Sequence, residues 1–273
     1  MRILNVDNNY QKASNKNPNF NAWQRTVYKP VQYVDCGKKT IPRFEFVSEL
    51  QHRNDTLFFR DRRFWVSLSD FLVNKYKEIA KVNVYNYACS NGSETYTFIM
   101  SLLSNFKDEF TKKFFPILAK DYDKFAIEQA KDSKIPITLS EVADINTFTG
   151  QQFTRFFGSK SCEDQYGNAN YPPKDELAAN VIFSQADVLE DCVNIEPHNS
   201  VVFVRNFWPY LSGKKQLELA QKLYSQLLSN STVVIGKFDM MDERFERQAD
   251  DLLLEAGFKD VEDPKFLGLV YEK

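Results

Sequence analysis

The sequence predicts an α/β fold with a mostly parallel, doubly wound sheet and an antiparallel pair of strands at the C-terminus. Short apolar, β-branched segments alternate with amphipathic segments between residues 82 and 238, as expected for βαβ units. The tail at 258–272 has the pattern of two further strands. The 273 residues are 43% apolar and 26% charged, which is typical of a globular protein and excludes collagen, a coiled coil and a disordered chain.

The predicted elements are recognised by apolar spacing and by the residues at their ends. Phe64, Leu68 and Leu72 recur at the interval of a helix, and Gly257 is placed to end the last helix. Strands are predicted at 82–88, 114–120, 180–186, 200–206 and 232–238. Helices are predicted at 64–79, at 94–106, after Asp123, in two short patterns within 134–180, between the last two of those strands, and at about 242–256.

The chain divides into an N-terminal extension at 1–54 and one larger domain at 55–273, which carries a polar insert at about 145–180. The extension shows weak periodicity and is expected to be irregular or a small appended element. Residues 1–63 hold 12 Lys and Arg against 6 Asp and Glu. Such a basic segment is either a solvated surface or a docking surface for an acidic partner. We expect no nucleic-acid partner, because the basic residues do not interleave with aromatics.

The N-terminus and the cysteines indicate where in the cell the protein is located and whether it has a metal site. We expect no signal peptide and no membrane insertion, because no apolar run is long enough, and therefore a cytoplasmic location. The four cysteines lie far apart and the chain has only two histidines. We therefore expect no metal site and reduced, mostly buried thiols.

Residues at the carboxyl ends of the predicted strands are the candidates for binding, because doubly wound sheets bind ligands there. The first strand ends in a turn from Cys89 to Glu94 with one glycine, Gly92. This is not the G-x-G-x-x-G of dinucleotide sites, so the segment is either a tight turn or a site for a ligand without pyrophosphate. After the second strand we assign Asp121 to a ribose and Asp123 to a helix N-cap.

Three more segments have both a functional and a structural interpretation. Asp187 ends the third strand, where it is either a turn residue or an acceptor for an adenine amino group. Arg205 and Asn206 end the fourth strand and are surface groups on pattern alone, while Tyr210 is a packed aromatic residue with a hydrated hydroxyl. Upstream of the sheet, residues 56–60 combine two expected core anchors, Phe58 and Phe59, with Arg60, a surface charge on pattern alone.

Taken together, these segments resemble the CheR chemotaxis methyltransferases. The segments, in order, are TLFFRDRRF, NYACSNGSETYTF, LAKDYDKFAIEQA, LSEVADINTFTGQQFTRFF, NVIFSQADVLE and VVFVRNFWPYLSGKKQ. The family patterns include T-x-F-F-R-D, A-G-C-S-T-G-E-E-P-Y-S, A-x-D-I-D, F-x-x-x-N-L-L and C-R-N-V-x-I-Y-F. The resemblance covers residues 55–273 and implies a Rossmann-like class I methyltransferase fold. It also implies an enzyme that uses S-adenosylmethionine, releases S-adenosylhomocysteine and methylates glutamate side chains of chemoreceptors.

The resemblance implies a role for each candidate residue. The turn with Cys89, Gly92 and Glu94 would hold the methionine end of the cofactor together with Asn206. The remaining cofactor residues would be Asp121 at the ribose, Asp187 and Val188 at the adenine, and Thr56 and Arg60 closing over the bound molecule. Arg60 and Tyr210 would line the substrate side and act in catalysis. A carboxylate acceptor needs no general base at pH 7, and the planar Arg60 side chain suits bidentate binding of a carboxylate.

The sequence departs from the family pattern at Tyr87, Ser93, Thr95, Asp187 and 207–209. The family's N-terminal helical pattern is not found in residues 1–50, and the insert does not look rich in strands. Three functions remain open at this point. The chain methylates a protein carboxylate on a receptor-like partner, methylates a different protein site or a small molecule, or binds the cofactor without catalysis.

Overall fold

The computed structural model describes residues 56–132, 135–163, 169–240 and 247–273, and the backbone of 32–34 and 40–42. Its strands are β1 (Gln32–Val34), β2 (Thr40–Pro42), β3 (Asn83–Tyr87), β4 (Ile117–Asp121), β5 (Ile135–Ile137), β6 (Cys162–Glu163), β7 (Ala169–Tyr171), β8 (Val181–Gln185), β9 (Ser200–Val204), β10 (Thr232–Val234), β11 (Lys259–Asp260) and β12 (Val270–Glu272). Its helices are α1 (Arg63–Lys75), α2 (Ser93–Asn105), α3 (Asp108–Thr111), α4 (Lys124–Lys131), α5 (Leu139–Thr149), α6 (Phe153–Phe156), α7 (Asp175–Ala178), α8 (Val188–Asp191), α9 (Gly213–Gln226) and α10 (Ala249–Ala256).

The central sheet confirms the predicted fold class. Its seven strands run in the order β11-β12-β10-β9-β3-β4-β8. The strands from β8 to β10 are parallel, β12 is antiparallel to β10, and β11 is antiparallel to β12. The chain order reverses on either side of β3, which is the switch point where such sheets bind ligands.

Aromatic residues join the helices to the sheet next to this switch point. The ring of Phe203 on β9 lies 5.0 Å from Phe98 of α2 and 5.9 Å from Trp65 of α1. All three side chains are almost fully buried, and rings at such distances add to the stabilisation from burial. The loops that follow β3 and β9 are therefore held by a rigid core.

Two helices differ in length from the sequence prediction. Helix α1 ends at Lys75 rather than at residue 79, because Tyr76 turns into the core and its hydroxyl contacts the carbonyl oxygens of Ser200 and Asn230. Helix α10 begins at Ala249, and residues 242–246 of the predicted helix lie outside the described residues. Gly257 adopts φ 109° and caps α10, as predicted.

The insert is richer in strands than the sequence indicated. Its strands β6 and β7 form a three-stranded antiparallel sheet with β5, which precedes the insert. Ile135 lies opposite Tyr171 and Cys162 opposite Asn170. Strands of two or three residues are too short to show alternation, and for that reason the expectation from sequence was wrong. The expectation of reduced thiols is also wrong for Cys162, which is disulfide-bonded, although Cys89 is a buried free thiol.

The N-terminal extension is described only in part. β1 and β2 pair antiparallel, with Tyr33 opposite Ile41, and the rest of residues 1–55 lies outside the described residues. In the part of the chain that the structure describes, no helix is both long and apolar enough to span a membrane.

Candidate active site

Residues 56–62, here called the strap, run across the site and are fixed to two helices. The backbone N–H of Phe58 donates to Oε1 of Glu141 on α5 at 3.1 Å. The N–H of Phe59 donates to Oγ1 of Thr97 on α2, also at 3.1 Å. Both rings are buried, which confirms them as core anchors. Glu141 also completes the capping box of α5, so the same carboxylate starts this helix and holds the strap.

The strap has a strained backbone. Phe59, Asp61 and Arg62 adopt φ values of 51°, 69° and 43°, which non-glycine residues rarely adopt. Such conformations persist only where the surrounding structure enforces them, and they concentrate at functional sites. Here the strained residues flank Arg60, whose carbonyl oxygen accepts a hydrogen bond from the indole of Trp65 at 2.7 Å. The backbone at Arg60 is therefore fixed.

Arg205 is a buried ionic centre rather than a surface group. It is 2% exposed. Its guanidinium lies 2.7 Å from Oδ2 of Asp61 and 3.2 Å from Oε2 of Glu94, and its Nε donates to the carbonyl of Ile235. The guanidinium also stacks 4.6 Å from the centre of the Trp65 ring. Arg205 therefore links the strap to the first turn of α2, a role that the sequence analysis missed.

Glu94 lies at the N-terminus of α2 beside this centre. Its pKa is raised, mainly by burial, while the positive charges of Arg205 and Arg60 oppose the shift. A carboxylate near a helix N-terminus is also stabilised by the backbone N–H groups there. Arg60 of the strap is thus among the positive charges that oppose the rise in the pKa of Glu94.

The turn that follows β3 requires its glycine. Gly92 adopts φ 89°, and a Cβ atom there would lie 2.7 Å from Cζ of Phe183. The chain also adopts positive φ at Ala88 and Ser90, so the backbone itself forms this corner of the site. The Cys89 side chain packs with Ala119 in a small apolar cluster. Any contact of Cys89 with a ligand would therefore be made by its backbone.

Asp121 is buried at the end of β4, where the sequence placed a ribose acceptor. Its Oδ2 accepts from the N–H of Ser90 at 2.7 Å, and its Oδ1 from the N–H of Asp123 at 2.8 Å. Burial raises its pKa to about 6, although these backbone N–H groups oppose the shift. An ionised carboxylate has roughly four acceptor positions, so Asp121 retains capacity for ligand hydroxyls. Asp123 caps α4, as predicted.

Asp187 occupies the end of β8 and begins α8. Its side chain accepts from the N–H of Leu189 at 2.9 Å, so the turn interpretation is confirmed. Val188 is half-buried in the first position of α8. The hydrogen bond to Leu189 uses one acceptor position of the Asp187 carboxylate. The contact of Asp187 and Val188 with an adenine remains a prediction.

The loops after β9 and β10 meet at a buried carboxylate that the sequence analysis did not single out. Asp239 accepts the backbone N–H groups of Asn206, Trp208 and Gly236 at 2.6, 3.0 and 2.8 Å. Burial raises its pKa to about 7, with the three N–H groups and Arg205 opposing the shift. An acidic residue directly after the strand predicted at 232–238 was the one available signal.

Asn206, two residues after β9, is held by this arrangement through its backbone N–H. It adopts φ 60°, and its Oδ1 is buried with no hydrogen-bond partner among the described residues. A Cβ atom on Gly236 would lie 2.2 Å from the same oxygen. Buried amide oxygens are almost always hydrogen-bonded, so this one marks the position of a missing donor.

Tyr210 lies in a short 3-10 turn, Trp208–Tyr210, that is fixed by the buried Trp208. The Trp208 indole donates to the carbonyl of Val204 at 2.7 Å. The Tyr210 ring is half-buried, 6.1 Å from Phe238 of the loop after β10. The departures from the family pattern at 207–209 thus supply the anchor that positions Tyr210.

A groove opens beside the strap. The cavity has a volume of about 430 Å³. It is lined by residues of the strap, by the start of α5 and by one residue after β10, namely 57–62, Ser140, Glu141, Asp144 and Lys237. Arg60 therefore belongs both to this groove and to the electrostatic environment of Glu94.

The remaining departures from the family pattern have structural roles. Ser93 donates through its hydroxyl to Asn91 at 2.7 Å, and Thr95 accepts from the amide of Asn86 at 2.9 Å. The Tyr87 hydroxyl donates to Asp191 at 2.7 Å. These side chains pair within the protein and leave Glu94, Asp121 and Asn206 in place.

The residues at the carboxyl ends of β3, β4 and β9 fit S-adenosylmethionine. The unpartnered oxygen of Asn206 and the carboxylate of Glu94 are acceptors suited to an α-ammonium group, and Asp121 is an acceptor suited to ribose hydroxyls. No group of three or more side chains that could hold a metal ion occurs within the described parts of the chain.

Comparisons with known proteins agree with this geometry. Residues 54–252 match the family model for the CheR methyltransferase, SAM binding domain. A chemotaxis protein methyltransferase of Borreliella burgdorferi is 22% identical over 220 residues, which cover 76% of this chain and 71% of the relative.

Two solved structures with similarity to this chain carry the name of a methyltransferase. An O-methyltransferase family protein from Burkholderia thailandensis is 14% identical with a TM-score of 0.38, covering 79% of this chain and 58% of its own. The plantazolicin methyltransferase BamL, solved with S-adenosylhomocysteine, is 14% identical with a TM-score of 0.36, covering 64% and 45%. The fold assignment itself rests on the strand order given above.

Proposed function

The chain belongs to the CheR family of S-adenosylmethionine-dependent methyltransferases, and from this premise we propose that it methylates a glutamate carboxylate of a protein. The observation that carries the proposal is the position of Arg60. Its side chain belongs to the wall of the groove, and its charge acts on the cofactor-side carboxylate of Glu94. An anionic acceptor bound in the groove would thus meet a guanidinium at the border with the cofactor site.

The residues of this chain would bind and align rather than transfer protons. The bound cofactor supplies an activated methyl group on its sulfonium. Glu94 and Asn206 would hold the methionine end, with Cys89 and Gly92 contributing backbone, and Asp121, Asp187 and Val188 would hold the nucleoside. Thr56 and Arg60 of the strap would cover the bound molecule.

Alignment suffices because a glutamate acceptor is already ionised at pH 7. The guanidinium of Arg60 can donate two N–H groups to a carboxylate in bidentate geometry, and the Tyr210 hydroxyl can donate a further hydrogen bond. Correct alignment of two reactants lowers a barrier by up to roughly 7–11 kcal/mol. The fixed backbone of the strap and the Trp208 anchor of Tyr210 support this role.

The chemistry of the product tests the proposed acceptor. The purified protein is incubated with methyl-labelled S-adenosylmethionine and protein fractions of its source cells, and the labelled proteins are treated with mild alkali. A carboxyl methyl ester releases volatile methanol, whereas N-methyl and C-methyl groups stay on the protein. Alkali-stable label would contradict the glutamate proposal and favour another acceptor.

Variants at the groove test the residue assignments in the same assay. Arg60→Ala is expected to lower turnover more than tenfold with the fold retained, because the acceptor loses its guanidinium. Tyr210→Phe is expected to lower kcat with little change in affinity for S-adenosylhomocysteine. The matched control is Arg247→Ala, which removes a surface arginine paired with Glu255 and should leave turnover unchanged. Near-normal turnover of Arg60→Ala would remove this residue from the site.

A further inference from the structure

Four charged side chains of alternating sign extend from the cofactor side to the groove. Glu94 contacts Arg205 at 3.2 Å, Arg205 contacts Asp61 at 2.7 Å, and Oδ1 of Asp61 lies 3.3 Å from Nζ of Lys237. The first three side chains are at most 13% exposed, whereas Lys237 is 51% exposed. The chain of charges therefore begins inside the protein and ends at Lys237 in the groove wall.

Each carboxylate in the groove wall is already engaged by the protein. Asp61 lies between Arg205 and Lys237, and Glu141 accepts from the backbone of Phe58 and from Thr138. Asp144 lies 3.9 Å from Arg62. The carboxylates of the wall thus have partners within the protein, which leaves the cationic side chains of the wall as the candidates to meet a bound anion.

Lys237 has the donors for such an anion. An ammonium group carries three N–H donors, and the contact with Asp61 accounts for one direction only. Because Asp61 is itself held in place by Arg205, it keeps the Lys237 ammonium group at the groove. Phe238, the next residue, packs against Tyr210, which places Lys237 on the same loop as a contact of the proposed substrate-side tyrosine.

We propose that Lys237 is a specificity-determining residue that binds the acceptor carboxylate together with Arg60. This inference rests on the proposed function, because it assumes that the groove receives an anionic side chain. Lys237 would contribute mainly to acceptor affinity, and Arg60, which borders the cofactor side, to the transfer step. Replacement of the lysine charge should thus raise KM for the acceptor more than it lowers kcat.

A peptide pair tests this division of roles. The probes are a synthetic helical peptide with a Glu-Glu pair flanked by alanines and its Gln-Gln counterpart. Binding of each peptide is measured with protein that is saturated with S-adenosylhomocysteine. In a separate assay, methyl transfer from S-adenosylmethionine to the Glu peptide is measured. Lys237→Met is expected to weaken binding of the Glu peptide and to raise the KM for this peptide about tenfold. Lys237→Arg is expected to restore both the binding and the KM. The affinity for S-adenosylhomocysteine is expected to stay constant in both variants.

The control is Lys112→Met, since Lys112 is also paired with a carboxylate, Asp108, but precedes β4 at the opposite end of the strands. If the wild type binds both peptides equally, the proposed function fails and this inference fails with it. If the wild type prefers the Glu form and Lys237→Met keeps that preference, only the assignment of Lys237 is overturned. An equal loss of cofactor affinity in Lys237→Met would also overturn it, by placing Lys237 at the cofactor.

Discussion

Asp121 is the residue whose ionisation bears most directly on cofactor binding. Burial raises its pKa from 3.8 to about 6, so the folded protein binds this proton more tightly than the unfolded chain. Its contribution to stability is therefore favourable at low pH and is lost as the pH rises from about 4 to 6. Cofactor binding should have the opposite dependence, because ribose hydroxyls donate to the ionised form.

We predict that affinity for S-adenosylhomocysteine falls as the pH drops through 6. The loss should be about tenfold between pH 7 and pH 5, as expected when a ligand favours the ionised form by more than one pKa unit. Isothermal titration across this range measures it. Asp121→Asn is the control, since it should bind more weakly at pH 7 with a flatter profile. An equally steep profile in that variant would assign the dependence to another group, such as Glu94.

Distance along the chain to the partner separates the residues that the sequence could interpret from those that it could not. Asp121 and Asp123 follow a strand, so their positions were readable, and the structure confirms the cap at Asp123. Arg205 looked like a surface charge because its partners, Asp61 and Glu94, are 144 and 111 residues away. No local pattern records such a pairing.

Among the elements, the loops after β9 and β10 depend on each other. The carboxylate of Asp239 binds N–H groups from both loops, and the absence of a side chain at Gly236 makes room for Asn206. Asn206 is thus positioned by the neighbouring loop as well as by its own strand.

We predict that Gly236→Ala weakens S-adenosylhomocysteine binding at least tenfold. The new methyl group would lie 2.2 Å from Oδ1 of Asn206, so the amide must move away from the site. Gly150→Ala is the matched control, because Gly150 adopts φ 62° with open space around its Cβ position. The control should lose about 1 kcal/mol of stability and retain cofactor affinity, both measurable by thermal melts and calorimetry. Normal affinity in Gly236→Ala would contradict the role of Asn206.

The lengths of the strands decided which of them could be predicted from the sequence. The five parallel strands were predictable because each lies in a short, mostly apolar segment bounded by polar residues. The three strands of the small sheet formed by β5, β6 and β7 were missed, since β6 has two residues and β5 and β7 have three. The hydrogen bond that attaches the strap to Glu141 joins residues 83 positions apart and likewise could not be predicted from the sequence.

At the scale of the whole molecule, the strand order explains why the predicted site residues converge. Asp121, Asp187 and Asn206 follow strands that are separated in sequence by tens of residues but lie in one parallel set in the order β9-β3-β4-β8. The sequence therefore predicted the fold, the family and the cofactor, while the assignments of individual cofactor-side residues stay predictions. The acceptor side depends on contacts among the strap, α5 and the loop after β10, and these emerge only in the folded chain.

The most direct test of the cofactor site is a calorimetric titration of the purified protein with S-adenosylhomocysteine, with Asp121→Ala alongside. We predict that the wild type binds and that the variant binds more weakly by about 1–3 kcal/mol, the scale of hydrogen bonds lost to a charged group. Lys112→Met serves as the control and should match the wild type. A folded wild-type protein that does not bind, or a variant of unchanged affinity, would contradict the assignment of this site.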